Sequence, residues 1–312
     1  MTRLAAFSLL ALLAGCDPEG LGRPNPNFLV IGHRGAPRSA AENTLPSFEI
    51  ATALGANAIE TDLCLTKDGV FVLWHDRDPD DAVALVRQTG VEGQAFIPLV
   101  PPVGSSSRKP VDELTLEEFR ANYGYGDVSG NNNELAWIPT FAELLTWAGG
   151  RPELSAIYLD VKLQTSQAAE VGALLAELDA AIAADAGLAG VRFFGLSVHP
   201  AVVSAMAAER DRLGLDQLRV VLDTEGLGAL DATLDLGLRD VSMGIVPDVT
   251  WGDFKEEVAD AVDARERGSI DSVTVWTFNR EIQLAELLYY SVDGIMTDDP
   301  GTLYVIWQDT LE

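Results

Sequence analysis

The sequence predicts a parallel α/β domain of the (β/α)8 barrel class, and three observations support that prediction. The chain has 312 residues, of which 47% are hydrophobic, so it can bury one large core. Short strand-like runs alternate with helical patterns over most of its length, which is typical of a parallel sheet covered by helices. Charged side chains stand at the ends of several of these runs, where barrel loops carry functional groups.

Nine apolar runs are predicted to be strands, one more than a barrel needs. They cover residues 28–32, 57–63, 70–75, 156–162, 191–197, 218–223, 240–244, 273–278 and 294–298. Only the short turn "TKDG" at 66–69 separates the second run from the third, whereas a parallel crossover needs about a dozen residues or more. The third run is therefore predicted to fold back on the second as a β-hairpin extension, and the other eight form the barrel.

The segments between the strands carry helical patterns and one long insertion. Helices are predicted at 41–55, 166–184 and 283–288. An insertion of about 77–137 follows the hairpin, with a helical pattern at 115–123. Because it leaves the top of the second barrel strand, we interpret it as a substrate-selecting loop and helix region. For its glycine- and asparagine-rich half, a disordered surface excursion is the alternative.

The charge of the chain limits its partners. The formal net charge of −27 excludes a basic nucleic-acid-binding face and disfavours adhesion to anionic membrane surfaces. A solvated acidic surface and adaptation to salt are both compatible with it. An anionic substrate would need local cations at its site, and no obligate protein partner is indicated.

The first residues are predicted to direct export. Arg3, an apolar run at 4–13 and small residues before Cys16 form a secretory signal at 1–15 that is too short to span a membrane. Its end, "LAGC", resembles the bacterial lipoprotein signal, which implies lipidation of Cys16 and a periplasm-facing protein anchored to the cell envelope. An ordinary secretory signal is the alternative. Asp17 resembles the residue that retains some lipoproteins in the inner membrane.

The lipidated cysteine and a linker rich in proline, glycine and asparagine occupy 16–27, so the folded domain is predicted at 28–312. Cys64 is the one other cysteine. If Cys16 carries lipid, no intramolecular disulfide can form, and we interpret Cys64 as a packing residue.

Three carboxylates at strand ends indicate a cation site. Glu60 and Asp62 are two residues apart in a strand and so point to the same face. Such a close pair is repulsive unless a hard cation such as Mg²⁺ or Ca²⁺ lies between the two groups. Asp160 ends another strand, and Lys162 shares its face. A structural ion pair could account for any one of these residues, but less easily for all of them.

Two of the three histidines also end strand-like runs. His33 precedes Arg34, and His75 precedes Asp76, which the hairpin returns to the side of the acidic pair. Two histidines beside a carboxylate cluster could divide general acid and general base roles at neutral pH. His199 ends another strand but lies in no strong cluster.

The residues from His33 to Asp76, "HRGAPRSAAENTLPSFEIATALGANAIETDLCLTKDGVFVLWHD", resemble the N-terminal signature of the glycerophosphodiester phosphodiesterase family. Further similar segments follow in order: "ELTLEEF", "IPTFAELL", "YLDVK", "VTVWTFN" and "VDGIMTDDP". The resemblance spans nearly the whole chain from residue 28 onward, and it implies a (β/α)8 barrel. The family's threonine- and glycine-rich segment is reduced here to "VRQTGVEG".

The resemblance also implies roles for individual residues. His33 and His75 match the acid/base histidines, and one divalent cation is implied, with Ca²⁺ or Mg²⁺ favoured over Mn²⁺. The third acidic ligand is usually a glutamate, and the aspartate found here affects metal choice rather than reaction class. The remaining matches are Glu60, Asp62 and Asp160 as metal ligands, Arg34 and Lys162 as phosphate-binding groups, Trp276 as a pocket aromatic, Glu42 and Asn43 as organising residues, and Thr297 and Asp298 as supporting rim residues.

The implied function is metal-dependent hydrolysis of small glycerophosphodiesters to sn-glycerol 3-phosphate and an alcohol. A phospholipase D-like enzyme acting on lysophospholipids or sphingolipids is one alternative, and an apolar groove formed by "FIPLVPPV" at 96–103 would favour it. A non-catalytic envelope lipoprotein that binds phosphodiesters is another. Replacement of His33 distinguishes an enzyme from such a binder.

Overall fold

The computed structural model describes residues 25–90, 93–128 and 136–311, and the structural statements below concern these residues. The strands in chain order are β1 (Leu29–Gly32), β2 (Ala58–Leu65), β3 (Phe71–Leu73), β4 (Phe96–Leu99), β5 (Gly124–Asp127), β6 (Ala156–Val161), β7 (Arg192–Ser197), β8 (Leu218–Glu225), β9 (Asp240–Gly244), β10 (Ser272–Trp276) and β11 (Gly294–Thr297).

The predicted barrel is confirmed. β1, β2 and β6 to β11 are parallel, and each pairs with the next around the ring. β1 pairs with β11 on one side and with β2 on the other, where Ile31 lies opposite Ala58, so the sheet closes on itself. The carboxyl ends of all eight strands therefore face the same rim, which is where (β/α)8 barrels carry their sites.

The predicted hairpin extension is also present. β3 runs antiparallel to β2 with Leu63 opposite Leu73. Gly69, at φ +82°, supplies the left-handed conformation that the connecting turn requires. The amide of Trp74 donates to the carbonyl of Asp62 at 3.1 Å, so the chain that follows β3 returns to the acidic end of β2.

The helices are α1 (Leu45–Ala53), α2 (Ala82–Arg87), α3 (Leu116–Asn122), α4 (Phe141–Gly149), α5 (Val171–Ala184), α6 (Pro200–Leu213), α7 (Ala229–Asp235), α8 (Trp251–Glu266), α9 (Glu281–Tyr289) and α10 (Pro300–Leu311). α1 begins four residues later than the sequence pattern predicts, because Thr44 is its N-cap and Pro46 fits the first turn. Glu42 and Asn43 are thereby left in a loop, free to turn towards the strand ends.

Apolar layers fill the barrel and the space beneath the helices. Inside the barrel, Tyr158 and Phe194 stack with their ring centroids 4.3 Å apart. They pack there with Leu29, Ile31, Ala58, Ala156, Leu196, Val221 and Met296. Two larger clusters lie between the strands and the helices.

The insertion has its own small core, built on the hairpin. Trp74 is 1% exposed and contacts Tyr125 of β5 and Phe119 of α3, with ring centroids 4.8 and 5.5 Å away. β4 and β5 form a separate two-stranded ribbon. Cys64 is buried in the same cluster and its thiol donates to the carbonyl of Trp74, in agreement with a packing role. The described part of the insertion is thus folded against the strand that precedes His75.

Some predictions lie outside the described residues. These are the signal at 1–15, Cys16, Asp17 and most of the linker, together with 129–135 within the glycine- and asparagine-rich half of the insertion. In the described ranges, no helix has both the length and the hydropathy needed to cross a membrane. The domain boundaries and the lipid anchor stay predictions.

Candidate active site

Three carboxylates converge at the carboxyl ends of β2 and β6. Glu60 and Asp62 point to one face of β2, and the parallel register places Asp62 opposite Asp160. One oxygen from each of the three carboxylates lies within 4.8 Å of the others. Glu60 and Asp62 are 4% and 1% exposed. A buried cluster of hard oxygen donors is the kind of ligand set that Ca²⁺ and Mg²⁺ take.

Cationic side chains compensate Asp62. Burial alone would raise the pKa of the Asp62 carboxyl, but Arg34 and Lys162 outweigh it and hold that pKa well below its usual value. Arg34 Nε lies 3.0 Å from one carboxylate oxygen, and Lys162 Nζ lies 3.1 Å from the other. Asn43 donates to the first oxygen at 2.8 Å. Lys162 also reaches Asp160 at 2.5 Å, so its ammonium bridges two of the three acids.

Glu60 is left without equal compensation. Burial and the charge of Asp62 raise its pKa well above the usual value, although its Oε2 accepts the backbone amide of Arg34 at 2.9 Å. With all three acids ionised, they carry one more negative charge than Arg34 and Lys162 neutralise, so without a further cation Glu60 retains a proton more readily. A further hard cation fits this donor set on grounds of charge and ligand type.

His33 is supported by the ends of barrel strands. It follows β1, and its backbone amide donates to the carbonyl of Thr297 at 2.9 Å. Its Nδ1 lies 2.7 Å from Asp298 Oδ1, and its Nε2 lies 4.0 Å from Glu60. Asn279 donates to the other oxygen of Asp298 at 2.7 Å and accepts from the Asp298 amide at 2.9 Å. The ring is therefore fixed through Nδ1, with Nε2 towards the acidic cluster.

His75 is supported by the hairpin and the insertion. Its Nδ1 lies 2.6 Å from Asp76 Oδ1. Asp76 is 6% exposed and accepts from Arg87, the last residue of α2. Burial lowers the pKa of His75 to about 4, and the positive charge of Arg34 acts in the same direction. The ring is neutral at pH 7 and able to accept a proton.

A tight loop holds Arg34 over the cluster. Arg34 and Asn43 both have φ of +54°, an uncommon conformation for residues other than glycine. The Arg34 carbonyl accepts the Asn43 amide at 3.0 Å and the Ser47 hydroxyl at 3.1 Å. The guanidinium donates to Glu42 at 3.1 Å. Glu42 and Asn43, the residues predicted to organise the site, thus surround Arg34. The two positive φ angles place backbone strain at the site, as is common where a functional side chain is held in position.

Two cavities meet at the acidic cluster. The larger, of about 270 Å³, is lined by His33, Arg34, Glu60, Asp62, His75, Asp160, Lys162, Leu196, Val198, Asp223, Glu225, Trp276, Thr277 and Met296. The smaller, of about 170 Å³, shares His75, Asp160, Lys162 and Val198 with it and extends past His199 towards α2. The predicted site residues of the barrel therefore come together, and His199 lies beside the smaller cavity.

Three residues near the site were not singled out as functional in the sequence. Asp223, at the end of β8, accepts from Trp276 Nε1 at 2.7 Å and from Ser242 at 2.5 Å. Burial raises its pKa to about 7, and the nearby charge of Asp160 contributes. In the sequence, the position of Asp223 at the end of a predicted strand was the one feature that could have indicated a functional role. Arg87 lies in "VRQTGVEG" and Asn279 ends "VTVWTFN", so the family resemblance was the available signal for both, although their partners are distant in sequence.

The comparisons with known proteins agree with this geometry. A sequence profile of the glycerophosphoryl diester phosphodiesterase family matches residues 33–302. A glycerophosphodiester phosphodiesterase from Caldanaerobacter subterraneus is 26% identical over 278 residues, which cover 88% of this chain and 96% of that relative.

Solved structures share the fold. A protein from Silicibacter pomeroyi, assigned as a glycerophosphoryl diester phosphodiesterase, has a TM-score of 0.69 and 24% identity, and the match covers 93% of this chain and 96% of that one. An Oleispira antarctica phosphodiesterase, solved with the product sn-glycerol-3-phosphate, has a TM-score of 0.63 and 18% identity over 93% and 97% of the two chains. At these identities the likeness establishes the barrel that the strand order already shows.

Proposed function

The chain belongs to the glycerophosphoryl diester phosphodiesterase family and is an enzyme of that class, and from this premise we propose that it hydrolyses glycerophosphodiesters to sn-glycerol 3-phosphate and an alcohol. We propose further that one divalent cation is required, held by Glu60, Asp62 and Asp160, and that His33 and His75 transfer protons. The Oleispira protein, whose structure contains sn-glycerol-3-phosphate, supports the choice of product.

One observation carries the proposal. Two histidines, each with Nδ1 held by its own carboxylate, line the same cavity as three convergent acids and two cations. Nδ1 of each ring is occupied as a donor to an aspartate, so Nε2 is the atom available to take or give a proton. A phosphodiester in this cavity would have proton-transfer groups and positive charge beside the same phosphorus.

The side chains divide the remaining work. Arg34 and Lys162 neutralise the non-bridging phosphate oxygens, and their attraction grows as charge builds there in the transition state. One histidine takes the proton from the attacking hydroxyl or water while the other protonates the departing alkoxide. Trp276 closes one wall of the cavity with its indole fixed by Asp223. These cations also offset the repulsion that an acidic protein exerts on an anionic substrate.

A bound divalent cation would supply Lewis-acid polarisation of the phosphate and a lower pKa for a neighbouring hydroxyl. One oxygen from each of Glu60, Asp62 and Asp160 lies within 4.8 Å of the others, and such hard oxygen donors suit either Ca²⁺ or Mg²⁺.

The shape of the site suits a substrate with two small substituents. A phosphodiester carries one group on each side, and the two cavities meet at His75, Asp160 and Lys162. Neither cavity is lined by residues 96–103, the segment that would have formed an apolar groove for a lysolipid chain. The structure therefore offers more support to glycerophosphodiesters than to lysophospholipids or sphingolipids.

Release of sn-glycerol 3-phosphate tests the proposal. Residues 17–312 would be assayed with glycerophosphocholine, glycerophosphoethanolamine and glycerophosphoglycerol, each with Ca²⁺, Mg²⁺, Mn²⁺ or chelator. The expected result is metal-dependent release that chelator abolishes, with Ca²⁺ or Mg²⁺ as the activating ion. Turnover in chelator would refute the metal requirement, and no turnover with any metal would refute the substrate class and turn attention to lysolipids.

We propose as well that the protein is an exported lipoprotein, on the strength of "LAGC" and the run that precedes it. The test is fractionation of cells that express the full chain or a Cys16→Ser variant. The wild-type chain should sediment with membranes and incorporate labelled fatty acid, whereas the variant should do neither. Equal partitioning of both chains would contradict the anchor.

A further inference from the structure

Arg87 is a buried charged residue to which the proposed chemistry assigns no role. It is connected to His75 through Asp76. Its side chain is 7% exposed. Nε donates to both oxygens of Asp76, at 3.0 and 3.2 Å, and Nη2 pairs with Glu42. Asp76 in turn holds His75 Nδ1.

We propose that Arg87 is a positioning residue for the reaction. It fixes Asp76, and through Asp76 it fixes the His75 ring in the orientation that presents Nε2 to the cavity. The inference rests on the proposed function, because that proposal gives His75 its proton-transfer role.

The contacts form a chain of alternating charge. Each Glu42 oxygen has a different arginine: Oε1 pairs with Arg87 and Oε2 accepts from Arg34. Asp76 Oδ1 is shared between Arg87 and His75. The two arginines and the two acids, Glu42 and Asp76, are each at most 8% exposed. A buried network of this kind has well-defined geometry, since loss of any member removes a charged partner from another buried group.

The strand that precedes His75 is short. β3 has three residues and ends at Leu73. Beyond its pairing with β2 it has one isolated bridge, Val72 to Thr140, where the Leu73 amide donates to the Pro139 carbonyl at 2.9 Å. The backbone of Asp76 is held by Trp74, whose Nε1 donates to the Asp76 carbonyl at 3.0 Å, and its side chain is held by Arg87. Trp74 packs against the insertion, and Arg87 belongs to it. The insertion therefore positions His75, in addition to the substrate-selecting role expected from the sequence.

The experiment compares Arg87→Gln with a matched control in the same insertion. Arg108 has a side chain that is 4% exposed, pairs with Asp80 at 2.8 Å, and donates to the carbonyls of Pro79 and Pro101. Arg108 also donates to the Gln88 side chain at 3.2 Å, but it has no hydrogen bond or ion pair with Asp76 or Glu42, so Arg108→Gln removes a buried arginine outside that network. Steady-state kinetics with the preferred glycerophosphodiester and metal give kcat and KM for both variants.

We expect Arg87→Gln to lower kcat by about 10–100-fold, with KM within about threefold, as for other groups that orient a catalytic residue. Arg108→Gln should retain kcat within about twofold. Arg87→Lys should recover part of the loss, because an ammonium keeps the charge but cannot reproduce the planar pairing with two carboxylates. An unchanged kcat in Arg87→Gln, or an equal loss in Arg108→Gln, would overturn the proposal.

A second readout does not depend on turnover. The chain has three histidines, and the Nδ1 protons of His33 and His75 are both hydrogen-bonded to aspartates, so each should give a far-downfield proton NMR signal. His75→Gln assigns the second signal. Arg87→Gln should shift or remove that signal and leave the His33 signal in place. Loss of both signals, or of neither, would refute the link, whereas a selective shift in a chain without activity would leave the link intact and refute the function.

Discussion

His33 and His75 line the same cavity, and each has Nδ1 bound by a carboxylate, but the supports behind those carboxylates come from different parts of the molecule. Asp298 follows a barrel strand and is held by Asn279, a neutral amide. Asp76 follows the hairpin and is held by Arg87, a buried cation from the insertion.

The difference follows from where the two histidines lie: His33 follows a barrel strand, whereas His75 follows β3, which lies outside the closed barrel. A strand inside a closed barrel is fixed by neighbours on both sides, so a single amide suffices to orient the acid at its end. Beside β2, the β3 strand has a single bridge, from Val72 to Thr140, and the acid that follows it is held by an ion-pair network as well. The His33 side should therefore tolerate changes in charge better than the His75 side.

The largest expected effect is loss of either histidine. His33→Ala and His75→Ala should each lower kcat by about 10²–10⁴-fold, the usual contribution of a general acid or base. The double variant should lose less than the product of the two factors, because the histidines act in one reaction. Initial rates of sn-glycerol 3-phosphate release measure this. If one variant keeps full activity, that histidine has no role in proton transfer.

The two supporting carboxylates should differ in their effect on stability. Asp76→Asn weakens the partner of a buried arginine and should lower the free energy of unfolding by about 3 kcal/mol. Asp298→Asn alters a hydrogen bond to histidine and amide and should lower it by about 1 kcal/mol. Urea unfolding of both variants gives the comparison, and equal losses would mean that the two supports are energetically alike.

The stability of the His75 side should also depend on pH. The folded pKa of His75 is about 4, below its usual value of 6.5, so the unfolded chain binds a proton first as the pH falls. This residue therefore contributes full stability above pH 6.5, and its contribution declines down to about pH 4. Between pH 7 and 5 the decline amounts to about 2 kcal/mol.

The measurement is urea unfolding in chelator at pH 7 and pH 5, for the wild type and for His75→Gln. The variant should lose about 2 kcal/mol less than the wild type over this interval. The difference between the two chains removes the contribution of Glu60 and of other carboxyls whose pKa does not depend on His75. Parallel behaviour of the two chains would contradict a buried neutral His75.

The smallest effect is expected near His33. Arg38 pairs with Asp299 at 2.8 Å, next to Asp298, but its side chain is 37% exposed. Arg38→Gln should change stability by no more than about 1 kcal/mol and leave kcat within about twofold. A large loss of kcat would show that the orientation of His33 also depends on an arginine. The supports of His33 and His75 would then not differ in this respect.

The sequence allowed the barrel and its hairpin to be predicted because both follow from local rules. Alternating strands and helices imply a parallel sheet, and the turn at 66–69 is too short for a crossover. The predicted site residues within the barrel come together for the same reason, since parallel strands end at one rim. The helix at 41–55 was predicted too long because its apolar pattern extends past the Thr44 cap.

The supports behind the site could not be predicted. The pairing of Arg87 with Glu42 joins residues 45 positions apart and depends on how the insertion folds. Asn279 and Asp223 make their contacts across strands whose register no sequence pattern encodes. The signal and the lipidation of Cys16 remain predictions, since 1–24 lie outside the described residues.

The pairing of His33 with Asp298 joins positions 265 residues apart, and β1 obtains its second neighbour only from β11. During synthesis the first half of the chain therefore emerges with His33 and both β2 acids but without the group that orients the ring. The barrel cannot close until the last strand has left the ribosome. A chain truncated before residue 298 would hold every proposed metal ligand and still lack the His33 partner, so the proposed catalysis requires the C-terminal end of the barrel.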